Sequence, residues 1–429
     1  MRLEDRKITI LREYHRVKKV DMAAAMYIDV DKVYKVEKGQ ALYSDGQLDN
    51  LRKKFDIVGM PLSELECAVA KERLYYMRDL ARDDRLEEAK AICTELANIV
   101  NLDPCDDDLP LLYRLLEVVV LFADGKDDVA AEKLDYLQGR LDDMNDEHLY
   151  YFKYNMGTLK IRQRDIEEGL EFCKQALEMH ESGNKFLPEE VDRLHYSIAL
   201  CFSYLQFPNR AIFYLLKARG SYNVRRTNIL GLRLDIMLAN NYVKVNELDE
   251  AGKLLDSCLV RAKSIKDDSC IGQTMDVFAR LHVKNENWDE AIKCLDQALK
   301  YFKEGTFGYL AALYLKIHCI AGNRNYAKAK KLQEETRRLY RMDEVFAPYF
   351  RSLARYITVK GRVSIYNDED VEYIEKVAIP NFEKNHGYFI AIEYYKLLEA
   401  YYVDKNNKKS LLMSQAIRKI EQRCFSHQY

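Results

Sequence analysis

Along most of this chain a short polar phrase ends in a small residue, and an apolar stripe at helical spacing starts from it. LEEA ends at Ala89, IEEG at Gly169, LDEA at Ala251, WDEA at Ala291 and YAKA at Ala329, with less clear copies ending at Ala131 and Ala211. The steps between them are 42, 38, 42, 40, 40 and 38 residues. A period of that size marks a stacked array of units, none of which can bury its apolar face alone. Around Ala251, Leu234, Met237, Leu238 and Tyr242 fall at helical spacing, Asn246 and Glu247 interrupt, and Leu248, Ala251, Leu254, Leu255, Cys258 and Leu259 resume it. Each unit is therefore predicted to be an antiparallel helical hairpin, with the small residue where the two helices cross closest. Beyond Ala329 the phase is looser, with helices predicted near 368–383, 386–403 and 408–423. Residues 345–429 read as two degenerate hairpins that seal the array.

The first 62 residues follow a different pattern and are predicted to be a separate domain, with residues 63–429 forming the array. Residues 5–57 read as four short helices, the last over Gln47, Leu48, Leu51 and Phe55, and Gly59, Met60 and Pro61 as a hinge. Composition supports an all-α reading, because Gly (17) and Pro (7) are scarce in 429 residues that are 48% hydrophobic and 32% charged. No apolar run approaches the roughly 18 residues that span a bilayer, and MRLEDRKITILREYHR has no apolar export core, so the chain reads as cytosolic. Ten cysteines, among them Cys67, Cys93, Cys173, Cys258 and Cys294, never form CxxC and read as small core residues. Split by position, residues 1–63 hold 13 Lys+Arg against 10 Asp+Glu, net +3, and the remainder 54 against 59, net −5. A mildly basic head on an acidic body is compatible with a head that meets nucleic acid.

The eight histidines form neither HExxH nor a close ligand cluster, and there is no GxxxxGK[ST] or GxGxxG. The stretch 103–108 lacks the spacing and central glycine of a calcium loop. No catalytic residue, metal or cofactor is assigned, and the chain is read as a binding protein. Trp288, at the interhelical position that Leu and Tyr fill in sister units, reads as core.

The hairpin phrasing resembles the tetratricopeptide repeat over residues 65–340. A small residue lies in the first helix (Gly157, Ala199, Ala239, Ala279), a large one three places on (Phe202, Tyr242, His282), and often an alanine seven beyond the phrase (Ala176, Ala298). HEAT-like repeats share the period, but the small-residue phrasing favours tetratricopeptide. The head resembles the helix-turn-helix of the Xre/Cro family: Leu11 and Arg12 in a first helix, Val17, Met22 and Ala23 in a second, Ile28 in the turn, Val33 and Val36 inside a third, and Glu37 with Gly39 closing it. The resemblance implies that Lys32, Tyr34 and Lys35 face base edges while Lys18, Lys19 and Lys38 meet phosphates. The chain departs from the family's pattern with Lys18 and Lys19 where Thr-Gln is usual, and with Asp29 and Asp31 where Ser is common.

Head and array together resemble the RRNPP group of peptide-pheromone-responsive regulators, that is Rap, Rgg, NprR, PlcR and PrgX. The resemblance implies a right-handed superhelix of about nine hairpins whose concave face holds a short signalling peptide, and a homodimer that presents two heads to double-stranded DNA. Counting the small residue of each first helix as position eight, positions two, five, nine and thirteen face inward. They read Tyr151, Tyr154, Thr158 and Arg162, then Arg193, Tyr196, Leu200 and Tyr204, then Arg233, Ile236, Asn240 and Lys244, then Gln273, Asp276, Arg280 and Lys284. The candidate peptide-binding residues are Tyr154, Arg193, Tyr196, Arg233, Asn240, Gln273, Asp276 and Arg280, with Asn240 holding peptide backbone and Arg193 or Arg233 a carboxylate. The alternative is a peptide-controlled switch that sequesters a response regulator or sporulation phosphorelay protein, with a vestigial head.

Overall fold

The computed structural model describes residues 8, 9, 12, 16–44, 46, 47, 50, 51, 64–83, 85–100, 108–182, 188–222, 229–341, 343–361 and 368–425. Leu11, Leu48, Phe55, the proposed hinge at Gly59–Pro61 and most of the acidic stretch 103–108 lie outside them. The described residues are mostly helical, with turns between the helices and no strand among them. By compactness the chain divides into two units, residues 1–164 with 178–184, and residues 165–177 with 185–429.

In the first unit, α1 (Lys19–Met26) and α2 (Val30–Glu37) form the helix-turn-helix pair. Tyr27, at φ 55°, ends α1 in the left-handed region, and the Ile28 amide donates to Ala23 O at 3.0 Å. A single left-handed residue lets the chain reverse direction within the three residues that precede α2. Asp29 then caps α2, its carboxylate accepting from the Asp31 amide at 2.9 Å. Asp and Ser are equivalent here, since each offers one oxygen to an unpaired first-turn donor. Met22, Ala23, Met26, Val33, Val36 and Tyr43 close a small core.

In the first unit the array follows among the described residues as α3 (Glu64–Arg82) with α4 (Leu86–Val100) and α5 (Asp108–Ala123) with α6 (Asp127–Gln138), then α7 (Asp146–Arg162); α8 (Ile166–Glu181) comes next in the chain, and the second unit continues as α9 (Pro188–Tyr204) with α10 (Pro208–Tyr222), α11 (Ile229–Lys244) with α12 (Leu248–Ile265), α13 (Asp268–Lys284) with α14 (Trp288–Tyr301), α15 (Phe307–Gly322) with α16 (Tyr326–Glu335), and, after the short α17 (Arg337–Tyr340), α18 (Phe346–Gly361) with α19 (Asp368–Tyr373) and α20 (Ile379–Lys384), then α21 (Tyr388–Tyr402) with α22 (Asn407–Phe425). A π-turn over Ile374–Ala378 joins α19 to α20, where Pro380 lacks the amide that an α ladder needs.

The small residues at the crossing points are fully buried at Ala89, Ala211, Ala251, Ala291 and Ala329. In the second unit of the pattern the structure corrects the register by one: Ala130, fully buried, holds the crossing, and Ala131 is half-buried. Two adjacent alanines made the phrase ambiguous. The turns inside the pairs are also alike. Gly125, Arg164, Gln206, Asn246, Glu286 and Arg324 all have φ between 56° and 70°, and bonds such as Asn287 N to His282 O at 2.9 Å and Glu247 N to Tyr242 O at 2.9 Å close them.

Consecutive first helices are stitched at the same period. Asn155, fully buried, donates to Leu115 O at 2.7 Å, and Arg162 donates to Phe122 O at 3.2 Å, each across 40 residues. In the second unit Lys244 donates to Ser203 O at 3.1 Å, across 41 residues. Phe122 O and Ser203 O lie in the last turns of their helices, where carbonyls lack an intrahelical partner, whereas Leu115 O lies mid-helix. Burial pushes the thiols of Cys201, Cys258 and Cys319 up to about 12, consistent with cysteine as a small core residue. Trp288 lies flat on α15, where a Cβ on Gly322 would meet the ring at 2.8 Å.

Candidate functional site

Two surfaces carry the residues singled out above. In the head, Lys18, Tyr34, Lys35 and Lys38 are exposed, as is Arg16. Lys19 is engaged with the protein: it pairs with Glu37 and lies 4.1 Å from the centroid of the Tyr34 ring, while Arg12 Nε holds the same Glu37 at 2.6 Å. Glu37 is only 10% exposed, so two cations neutralise a carboxylate that the core has nearly covered. Lys32 donates to Gln47 Oε1 at 3.0 Å. The sequence pattern gave no sign of either pairing, because both cross from one short helix to another segment.

In the array's first unit, Tyr154 stacks on Tyr150, rings 6.3 Å apart and 8° from parallel, under the Arg82 guanidinium at 5.5 Å. Neighbouring Tyr151 is buried and accepts from Arg78 at 2.5 Å. The other seven candidates lie in the second unit, on α9, α11 and α13. Arg193, Tyr196, Arg233, Asn240, Gln273, Asp276 and Arg280 are all half-buried. Tyr196 packs its ring against the core around Ala199 and Leu215. Gln273 bonds Ser269 Oγ at 3.2 Å, and Arg280 Nε donates to Asp276 Oδ2 at 2.9 Å. The second Asp276 oxygen is buried with no hydrogen-bond donor among the described residues. A peptide amide there would satisfy it.

Three lysines outside the candidate set are shifted by their surroundings. Lys244 and Lys284 occupy position thirteen of their repeats, and Lys360 lies near the end of α18. Burial, helped by the charge of Arg280, pulls the Lys244 ammonium down to about 7, and burial lowers Lys284 and Lys360 as well. The last pair faces them: Glu393 of α21 acts on Lys284 and Lys360, Glu421 of α22 on Lys284, and Cys424 on Lys244. The end of α22 touches α10, where Asn209 Nδ2 donates to Phe425 O at 3.4 Å. Only position counting within the repeat could have found the lysines, since a lysine at a helix end is ordinarily a solvated residue. Among the described residues no cluster of His, Cys, Asp or Glu could hold a metal, and no helix is long and apolar enough to cross a membrane.

A helix-turn-helix pair followed in the chain by repeated helical hairpins is similar to the RRNPP-type peptide-responsive tetratricopeptide regulators, and comparison with known proteins bears out that likeness. The chain is 23% identical over 388 residues, 89% of its length and 94% of the relative's, to the transcriptional activator NprA of Geobacillus stearothermophilus. It superposes on a Rap protein complexed with Competence and Sporulation Factor at a TM-score of 0.71 and 15% identity, covering 83% of this chain and 99% of that one. It superposes on NprR in complex with its cognate peptide NprX at 0.64 and 19%, covering 82% and 99%. No family model matches the chain.

Proposed function

We propose that this protein is a quorum-sensing transcriptional regulator: the inner face of its repeat array binds a short signalling peptide, and that binding controls how the helix-turn-helix head meets double-stranded DNA. The observation that carries the reading is the pairing, in one chain, of an exposed Lys35, Lys38 and Tyr34 on a capped recognition-type helix with a repeat array whose inner stripe is half-buried and rich in Arg, Lys, Tyr and amide. Resemblance to the activator NprA over 89% of the chain supports it. The functional species is a homodimer, because one head of this size makes too few phosphate contacts for useful specificity.

A mobility shift on the DNA flanking its own gene tests the reading. Binding should weaken steeply with salt, and Lys35→Glu with Lys38→Glu should reduce it by at least about tenfold. An array without DNA binding, sequestering a response regulator or phosphorelay protein, is the second reading. Two features of the head favour it: Lys19 and Lys32 are tied to Glu37 and Gln47, and Asp29 and Asp31 stand exposed beside the recognition helix. No shift at any salt concentration would select it.

A further inference from the structure

The outward face of the recognition-type helix α2 carries a charge pattern that phosphate contact alone does not explain. Val33 and Val36 face the core, while Asp31, Tyr34, Lys35 and Lys38 are exposed. Tyr34 and Lys35 lie three and four residues beyond Asp31, so the three share one stripe of the helix. Lys32, expected to face base edges, is turned aside: it donates to Gln47 Oε1 at 3.0 Å, and the Ser44 amide donates to the same oxygen at 3.0 Å. Asp29 is occupied by the cap, accepting from the Asp31 amide. Lys19, over the Tyr34 ring at 4.1 Å and paired with Glu37, fixes that ring beside the stripe. The Asp31 carboxylate has no hydrogen bond or ion pair among the described residues, not even with Lys35 one turn on. Such one-turn pairs do close elsewhere, between Asp276 and Arg280 at 2.9 Å and between Glu372 and Lys376 at 2.5 Å. A carboxylate carried into a groove between phosphates weakens binding to every sequence unless a donor on the bases meets it.

We infer that Asp31 is a base-reading residue of the head, its carboxylate accepting from the exocyclic N4 amine of a cytosine in the major groove, with Lys35 donating to the guanine of a neighbouring pair. A carboxylate only accepts. In the major groove guanine and thymine show it acceptors, and adenine sets its N6 amine beside the N7 acceptor. Cytosine offers a donor with no acceptor on its own edge. Side chains one helical turn apart, about 5–6 Å between Cβ atoms, reach across one to two base-pair steps of about 3.4 Å. Asp31 and Lys35 can therefore read neighbouring pairs without meeting each other. The inference rests on the DNA-binding reading and adds the base class that the head selects. It replaces Lys32 with Asp31 among the base-facing residues, and it gives the exposed carboxylate a part in discrimination.

The test uses the full chain at low salt and a pool of duplexes with a randomised segment of about 20 base pairs, enough for two half-sites one turn apart. Retained duplexes are sequenced for the wild type, Asp31→Asn and Asp31→Ala. Asp31 is exposed, so both variants should melt with the wild type. The wild type should enrich a cytosine at one position of each half-site by at least about fivefold over the other bases, the discrimination of one direct contact. Asp31→Asn should move that preference to adenine, whose N6 and N7 an amide meets together, and Asp31→Ala should leave the position degenerate while the rest of the site persists. A wild-type site without such a cytosine, or undiminished cytosine enrichment in Asp31→Ala, overturns the inference and leaves DNA binding standing. So does a uniform change of affinity at an unaltered site, which would confine Asp31 to stabilising the start of the helix or repelling phosphate. Retention of no duplex by the wild type overturns both.

Discussion

The regular repeats and the closing pairs of the second unit solve one packing problem with different residues. From α11 to α14 the core is built from Ala239, Ala251, Cys258, Ala279, Ala291, Leu255 and Leu295, all fully buried. From α17 to α21 it is built from rings: Tyr340 stacks on Phe350 at 3.8 Å, Tyr356 lies tilted against Tyr394 at 4.9 Å, and Phe382 meets Tyr394 edge to face at 4.9 Å. Small residues let each pair sit close to the next, which a repeating stack requires. Rings fill the wider, irregular space between these less regular pairs. The inner stripe depends on the first solution, because only a constant step keeps position thirteen of one repeat above position thirteen of the next.

Substitutions should separate the two regions. The largest effect is expected in the ring core, where Phe350→Ala removes a fully buried ring and should destabilise the second unit by about 3–5 kcal/mol in urea melts. In the regular region the sensitivity should reverse, with added volume doing the harm. Gly322→Ala pushes a methyl into the Trp288 ring and should cost about 1–3 kcal/mol. If Gly322→Ala were neutral, close crossing would not be the rule of the repeats.

The turns should respond in the opposite direction. Glu286 holds φ 56° with a side chain that disfavours it, so Glu286→Gly should stabilise by about 0.5–1 kcal/mol. The smallest effect concerns pH. Lys244 is depressed to about 7 in the fold from 10.5, with Ser203 of α9, Arg280 of α13 and Cys424 of α22 around it. The folded form therefore binds fewer protons than the unfolded chain between those values, and stability rises with pH from about 7 upward. Against Lys244→Met, the wild type should gain between pH 6.5 and 8, by less than about 0.5 kcal/mol because the side chain is only half-buried and solvent screens it.

The array was legible in the sequence because its signal is long-range and redundant: seven small residues at nearly one spacing outweigh any ambiguous phrase, even where Ala131 was chosen over Ala130. The turns were not legible, since Arg164, Gln206, Glu286 and Arg324 carry no glycine signature and adopt the left-handed region only because two packed helices impose it. In the head, element order was legible from apolar spacing. The fate of its charges was not, because Lys19 with Glu37 and Lys32 with Gln47 are tertiary pairings. The inward positions are counted from the sequence, yet the contacts of their side chains, such as Arg280 with Asp276 and Lys244 with Ser203, depend on the packing of the helices.

Hydrogen exchange of the full chain, with and without a saturating pool of synthetic random hexapeptides, tests most directly whether the inner face of the repeats is the binding surface. Slowed exchange concentrated in α9, α11 and α13, with the outer helices α10, α12 and α14 little changed, is the predicted result. Slowing confined to the head, or to α18 through α22 alone, would contradict it.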